Sequence, residues 1–309
     1  MGARRSRADA FFKTLAFVFG SSIVALTLVF FYVLTTGSSL TIKSGFAFIL
    51  GSEWNPLGNV YGVLPMIYGS VVTSAIALLI GVPISLGVAV FLSELSPRRL
   101  KSPISFIVEL LAAVPSVVYG LWGVFILAPL LRVYAYPFLQ AHFGFLPIFQ
   151  GYIYGASILT AGIVLAIMII PIVSSISRDA LLAVPDSQRE AAYALGATKS
   201  ETIRISVLSY ARSGILASIF LGLGRAFGET IAVTMVVGNT PLISGSLFSP
   251  GYTLASLIAN EFTEATTTTY ISALVEAGLV LLCVVFLTNI VARYLISRLV
   301  RSREAASYL

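Results

Sequence analysis

Charge is what this chain has least of. Asp, Glu, Lys and Arg make up 10% of its 309 residues, against about 25% in a soluble domain. Cysteine is nearly absent. Cys283 stands alone inside an apolar run, which excludes an intrachain disulfide. Histidine occurs once, at His142, with no Cys or His beside it, so metal-ligand spacings are missing. Both residues read as packing. There is no Gly-x-x-x-x-Gly-Lys-Ser/Thr run, and so no phosphate-cradling loop of that type. The sequence therefore assigns no catalytic residue, no metal ligand and no cofactor bound by this chain. It also lacks a strong internal repeat, a low-complexity tract and the inverted-repeat symmetry common in secondary transporters.

What is abundant is apolar surface, 58% of all residues. A soluble core of this length does not need so much, so the expected fold is an all-α integral membrane protein. A spanning helix takes roughly 20 mostly apolar residues. Six segments qualify: about 11–36, 63–93, 104–131, 152–177, 214–238 and 269–292. Gly81 and Pro83 are expected to tilt or kink the second. The first is longer than the 7–15-residue core of a cleaved signal and is expected to be retained. A division follows: 1–62 as tail, first span and following loop, 63–300 as the core of five spans, and 301–309 as a tail.

The +6 net charge is unevenly spread. Arg4, Arg5, Arg7, Lys13, Arg98, Arg99, Lys101, Arg178, Arg189, Lys199, Arg204, Arg212, Arg293, Arg298, Arg301 and Arg303 fall on one side of the six-span arrangement. Lys43 and Arg132 fall on the other, and Arg225 lies within a span. The positive-inside rule then places both termini in the cytoplasm of a multi-pass protein in the plasma (cell inner) membrane. On the opposite side, 132–154 is rich in Tyr and Phe. It reads either as an interfacial aromatic belt or as a docking surface.

Two polar constellations interrupt the apolar pattern. Residues 185–213 are too polar to cross lipid. Ser187 with Glu190, and Thr198 with Glu201, fit the Ser/Thr-x-x-Glu capping box. Gly196 falls where a helix must stop. The expectation is helix, glycine turn, helix, with Ala191, Ala192 and Ala194 keeping the first helix slim enough to enter a groove. The plainer alternative is a surface hairpin in which Glu190 merely caps.

The second constellation is Gly224-Arg225-Ala226-Phe227-Gly228-Glu229-Thr230. With a span from Gly214, Arg225 would lie roughly 16 Å deep at ~1.5 Å per residue, where a charge costs at least about 2.5–3.5 kcal/mol unless it faces protein or water. Glu229 at i+4 would share its helical face and pair with it. Gly214, Ser218 and Gly222, and Gly224 and Gly228, recur at the four-residue spacing of close helix packing. Two readings stand side by side: a pair that fixes helix register, or an anion pathway in which Arg225 attracts an oxyanion and Glu229 holds Arg225. Pro115 is expected to kink the third span. Glu109 would enter that span by about 8 Å at ~1.5 Å per residue, and Glu276 lies in the outer part of the last span with no assignable partner.

Glu190-Ala191-Ala192 followed by Gly196 resembles the EAA loop of ABC importer permeases, with Ser206 and Ser209 where that family has Ile and Pro. Gly224-Arg225-Ala226-Phe227-Gly228-Glu229-Thr230 resembles a signature of permeases of the phosphate-specific transport (Pst) system. Ala112 to Gly123, with Pro115 and Trp122, resembles the third span of its PstC-type subunit. The likeness covers roughly residues 60–300. It implies the type I ABC importer permease fold with cytoplasmic coupling helices, and import of inorganic phosphate. Glu190, Ala191, Ala192 and Gly196 would couple to the ATPase, while Arg225, Glu229 and Thr230 would line the substrate pathway. Implied partners are a homologous PstA-type permease, a PstB-type ATP-binding dimer carrying ATP-Mg, and a PstS-type external phosphate-binding protein. Alternatives are a permease for molybdate or sulfate, a stand-alone channel or secondary transporter, and a purely structural membrane scaffold.

Overall fold

The computed structural model describes residues 7–306. Arg4 and Arg5, and the end of the 301–309 tail, lie outside the described residues. Among the described residues, six helices are long and apolar enough to cross a membrane: Phe11–Gly37, Leu64–Leu95, Ser116–Phe143, Ile158–Leu182, Lys199–Gly228 and Thr268–Tyr294.

The first span belongs to α1 (Arg7–Gly37). Its apolar side chains from Phe11 to Val33 are exposed over every face. A helix that is apolar all round and uncovered by protein needs lipid as its solvent. It touches the bundle near its end, where Ser272 Oγ donates to Gly37 O at 3.0 Å. After α2 (Phe46–Leu50), strands β1 (Trp54–Asn55) and β2 (Val60–Tyr61) pair antiparallel, with Trp54 opposite Tyr61.

The second span is α3 (Leu64–Val90), unbroken through Pro83, and it ends in a π-helical turn at Phe91–Leu95. Next comes α4 (Arg98–Ala113), and the chain is then extended at Val114 and Pro115. The third span runs through α5 (Ser116–Trp122), a π-turn (Gly123–Leu127), α6 (Ala128–Leu130), a second π-turn (Leu131–Ala135) and α7 (Tyr136–Phe143). The sequence-based span of 104–131 is therefore displaced. The Pro115 ring fixes φ and holds the residue before it extended. It separates two helices instead of kinking one. Helix continues to residue 143, so 132–154 is not one loop. Tyr136 is fully buried and hydrogen-bonds Ser157 Oγ at 2.9 Å, whereas Tyr134, Phe145 and Tyr152 remain exposed.

The centre of the molecule is α8 (Ile158–Leu182), the fourth span, with 72% of its apolar window buried. It packs against α3 and against α11 (Leu208–Gly228), which follows α9 (Asp186–Ala194), α10 (Lys199–Glu201) and a π-turn (Thr202–Val207). Close approach depends on small residues. A Cβ on Gly81 would meet the Ile169 side chain at 2.8 Å, and one on Gly222 would meet Val173 at 2.7 Å. Ser218 and Ser177 bond across the α8–α11 contact at 2.8 Å. The Gly214, Ser218 and Gly222 repeat thus faces α8. Gly224 and Gly228 have nothing within 4 Å of a built Cβ, so among the described residues no close helix approach depends on them.

The chain closes with α12 (Ile231–Val236), α13 (Leu254–Glu261) and α14 (Thr268–Ala306). At the end opposite α9, Glu261 ties three elements together. It accepts from Trp54 Nε1 at 2.6 Å and from Tyr270 Oη at 2.6 Å. Burial raises the pKa of the adjacent Tyr252 hydroxyl, which keeps it a hydrogen-bond donor.

Candidate functional site

The polar island folds as a hairpin. Pro185 is extended (ψ 142°) and stands immediately before α9, so Asp186 is the first helical residue and sets its carboxylate at the positive helix end. Ser187 is then already inside the helix, and no side chain caps that start. The capping box expected of Ser187 and Glu190 does not form, because proline moved the boundary upstream. At the far end Gly196 has φ +82°. Gly196 N donates to Tyr193 O at 2.9 Å and Ala197 N to Ala192 O at 3.1 Å. This left-handed glycine closure satisfies the last carbonyls of α9. The second capping box is present: Thr198 N donates to Glu201 Oε2 at 2.8 Å, and Glu201 N to Thr198 Oγ1 at 3.4 Å.

The second arm of the hairpin is not a separate helix. Helix runs from Lys199 through the π-turn into α11, so the hairpin and the fifth span share one rod. Glu190, Ala191 and Gly196 are exposed. Ala192 is buried and is not available to a partner. The tip instead presents Leu195, 90% exposed, beside Tyr193. Neither was given a role from the sequence, although an apolar residue directly before the turn glycine was a readable signal.

The fifth span breaks where 214–238 was expected to be continuous. α11 ends at Gly228, Glu229 is extended (ψ 121°), and α12 starts at Ile231. Arg225 therefore lies in a last helical turn, where a cation is favoured by the helix dipole. Glu229 reaches it from outside the helix, not from a shared helical face. The two approach at 3.9 Å (Nη2–Oε2), beyond hydrogen-bond range. Glu229 Oε1 also accepts from Ala232 N at 3.4 Å, at the start of α12. Thr230 stands at the break, its Oγ1 donating to Gly228 O at 3.3 Å. Arg225 Nε is buried without a hydrogen-bond partner. The break thus holds a cation whose donors are not saturated, next to a largely buried carboxylate.

Three other expected residues find places. Pro115 is followed by Tyr119, whose hydroxyl donates to Leu111 O at 2.7 Å and bridges α4 and α5. Glu109 sits on α4 instead of entering the third span, with Arg178 at 4.0 Å. Glu276 is 4% exposed, and its Oε2 has no hydrogen-bond partner. A cavity of ≈ 580 Å³ opens between the third span and α12 beside Arg132. Its lining does not include Arg225 or Glu229.

Comparison with known proteins supplies relatives. A family model described as "Binding-protein-dependent transport system inner membrane component" matches residues 81–301. The chain is 48% identical over 307 residues to the phosphate transport system permease protein PstC of Xylella fastidiosa (strain Temecula1), covering 96% of this chain and 93% of that one. The Haemophilus influenzae protein of the same name is 42% identical over 300 residues, covering 96% and 95%. The probable PstC of Methanocaldococcus jannaschii is 42% identical over 249 residues, covering 79% and 78%. Among solved structures, a chain of the inward-facing MetNI methionine ABC transporter matches with 18% identity and a TM-score of 0.49, over 78% of this chain and 94% of that one.

Proposed function

The chain belongs to the family of binding-protein-dependent transport system inner membrane components, and to its PstC branch; on that premise we propose that it is the permease subunit of an ATP-driven importer moving inorganic phosphate into the cytoplasm. The observation that carries the pathway is the break at Glu229 and Thr230. There Arg225 keeps a buried, unpartnered Nε, while Glu229 holds the guanidinium at 3.9 Å. A cation bound loosely by its own carboxylate can attract an oxyanion. The same carboxylate competes for the cation afterwards, so the anion is released. Irregular backbone at membrane depth is tolerated where it lines a cavity or is covered by protein, and the break between α11 and α12 suits such a position.

The partners follow from the same membership: a PstA-type second permease, a PstB-type ATPase dimer holding ATP-Mg, and a PstS-type external binding protein. ATP hydrolysis resides in the ATPase subunit. Closure of that dimer pushes on the exposed face of α9, at Glu190, Ala191, Tyr193, Leu195 and Gly196. The continuous rod from Lys199 passes the push to α11 and so to Arg225. The crowding of Lys and Arg on the hairpin side supports cytoplasmic placement of that side and of both termini.

The test is labelled-phosphate uptake by the complete complex in proteoliposomes, with ATP on the hairpin side, and with excess sulfate or molybdate as competitors. ATP-dependent uptake that resists both anions, and is lost on Arg225→Gln in an assembled complex, is the expected result. Transport of another anion by an ATP-hydrolysing complex would refute the substrate. Uptake without an ATPase would refute the importer.

A further inference from the structure

Arg189 stands beside the expected coupling residues, yet its side chain turns away from the docking face. Its Nη2 donates to Glu94 Oε1 at 2.8 Å and its Nε to Glu94 Oε2 at 3.5 Å. Its Nη1 donates to Val184 O at 2.6 Å and its Nη2 to Leu181 O at 3.1 Å, which places the guanidinium over the end of α8. Nη1 also reaches Asp186 Oδ1 at 3.2 Å. The Arg189 and Glu94 side chains are 18% and 10% exposed. The Glu94 hydrogen bond is the main cause of the raised Arg189 pKa.

Apart from Asp186 in α9 itself, these contacts reach two other parts of the chain. Glu94 lies in the π-turn that ends the second span. Leu181 and Val184 belong to the end of the fourth, inside an apolar cluster with Ala89, Val207, Ala211 and Ile215. Other ties of α9 lead to the π-turn below the fifth span, for example Ser206 Oγ donating to Gln188 O at 2.9 Å. The guanidinium is planar, and its two-point grip on a carboxylate fixes direction as well as distance.

We propose that Arg189 is a positioning residue. Together with Glu94 it carries displacement of α9 to the second and fourth spans, so that these move with the fifth instead of being left behind. Without it, the second span loses this tie to α9, and the fourth keeps only the short link of residues 183–185, while the fifth stays tied through the rod and Ser206. The proposal rests on α9 being the coupling element of an ATP-driven importer.

The experiment measures ATP hydrolysis and labelled-phosphate uptake together in the assembled complex. Arg189→Gln should leave at least half of the hydrolysis while uptake falls about tenfold, as expected when the charge-assisted grip on Glu94 is lost. The ATP used per phosphate then rises by several-fold. Arg189→Lys, which keeps the charge but not the fork, should fall between. The exchange Arg189→Glu with Glu94→Arg should recover part of the coupling. An unchanged ATP-to-phosphate ratio in Arg189→Gln overturns the proposal, as does an equal fall of both activities. Should Arg189→Gln fail to assemble, spin labels at Gln188→Cys and Leu95→Cys in a Cys283→Ser background give a second reading without touching the pair. Their separation should stay constant as nucleotide is bound and released, and a change would refute the clamp. If the parent complex itself shows no ATP-driven phosphate uptake, the functional reading fails before the clamp is tested.

Discussion

Arg189 is ringed by acceptors, whereas Arg225 faces its carboxylate at 3.9 Å and keeps a buried Nε without a partner. Both are arginine–glutamate pairs in one chain. The first pair joins three elements and leaves little donor capacity for anything else. The second spans a helix break and leaves capacity for a ligand. A saturated guanidinium resists displacement by an anion, because the newcomer must outcompete contacts already made. An unsaturated one is already partly desolvated and gains by accepting an oxyanion. The count of contacts separates the two roles where charge alone does not.

The most severe way to break this contrast is at Arg225. A hydrogen bond to a charged group contributes about 1.5–3 kcal/mol, so Arg225→Gln should lower phosphate uptake roughly ten- to hundredfold at about 1.36 kcal/mol per decade. Hydrolysis by the partner ATPase should change far less. A matching fall in both would instead mean that Arg225 is needed for an intact complex and not for the pathway. Arg189→Gln comes next, with about tenfold lower uptake and, for a pair this little exposed, a stability loss toward the low end of the roughly 3–5 kcal/mol for breaking a buried pair. Thermal unfolding of the purified complex measures it, and the melting curve of Arg225→Gln should move less.

Two smaller changes sharpen the contrast. Gly196→Ala puts a Cβ where φ is +82°, at a cost of roughly 1–2 kcal/mol. The clash is with the local backbone, since nothing else lies within 4 Å. It should loosen the hairpin while the Arg189 clamp persists, and raise the ATP used per phosphate by less than Arg189→Gln does. An equal rise would mean that hairpin stiffness, not the clamp, sets coupling. Asp186→Asn should do least. Its side chain is 89% exposed, and exposed ion pairs are typically worth about 0.2–1 kcal/mol. Uptake close to the parent value would leave Glu94 and the carbonyls as the contacts that matter.

The legible part of the fold was the part governed by lipid. Six apolar stretches became six helices, because a chain in hydrocarbon must satisfy its own backbone groups. Boundaries were misread where proline rather than hydropathy set them. Pro115 moved the third span, and Pro185 moved the start of α9 and removed the Ser187–Glu190 cap. At the candidate site, Gly196 and the Thr198–Glu201 box were legible because they are local. Ala192 was taken for surface, since periodicity does not say which side of a short helix the second arm will cover. Arg225 and Glu229 were found by their charge, but the break between them left no hydropathy signal.

Sequence by itself determined the solvent, the number of spans, the crowding of cations on one side and the turn at Gly196. Each depends on interactions within a few residues, or on a summed apolar content that order hardly affects. Tertiary structure decided that Arg189 meets Glu94 across 95 positions of chain, that the hairpin shares a rod with α11, and that Arg225 keeps a donor free. Those outcomes depend on which helix faces pack together, with Gly81 and Gly222 admitting α8 to close contact. A guanidinium's partners are then whatever that packing places within about 3 Å of its nitrogens.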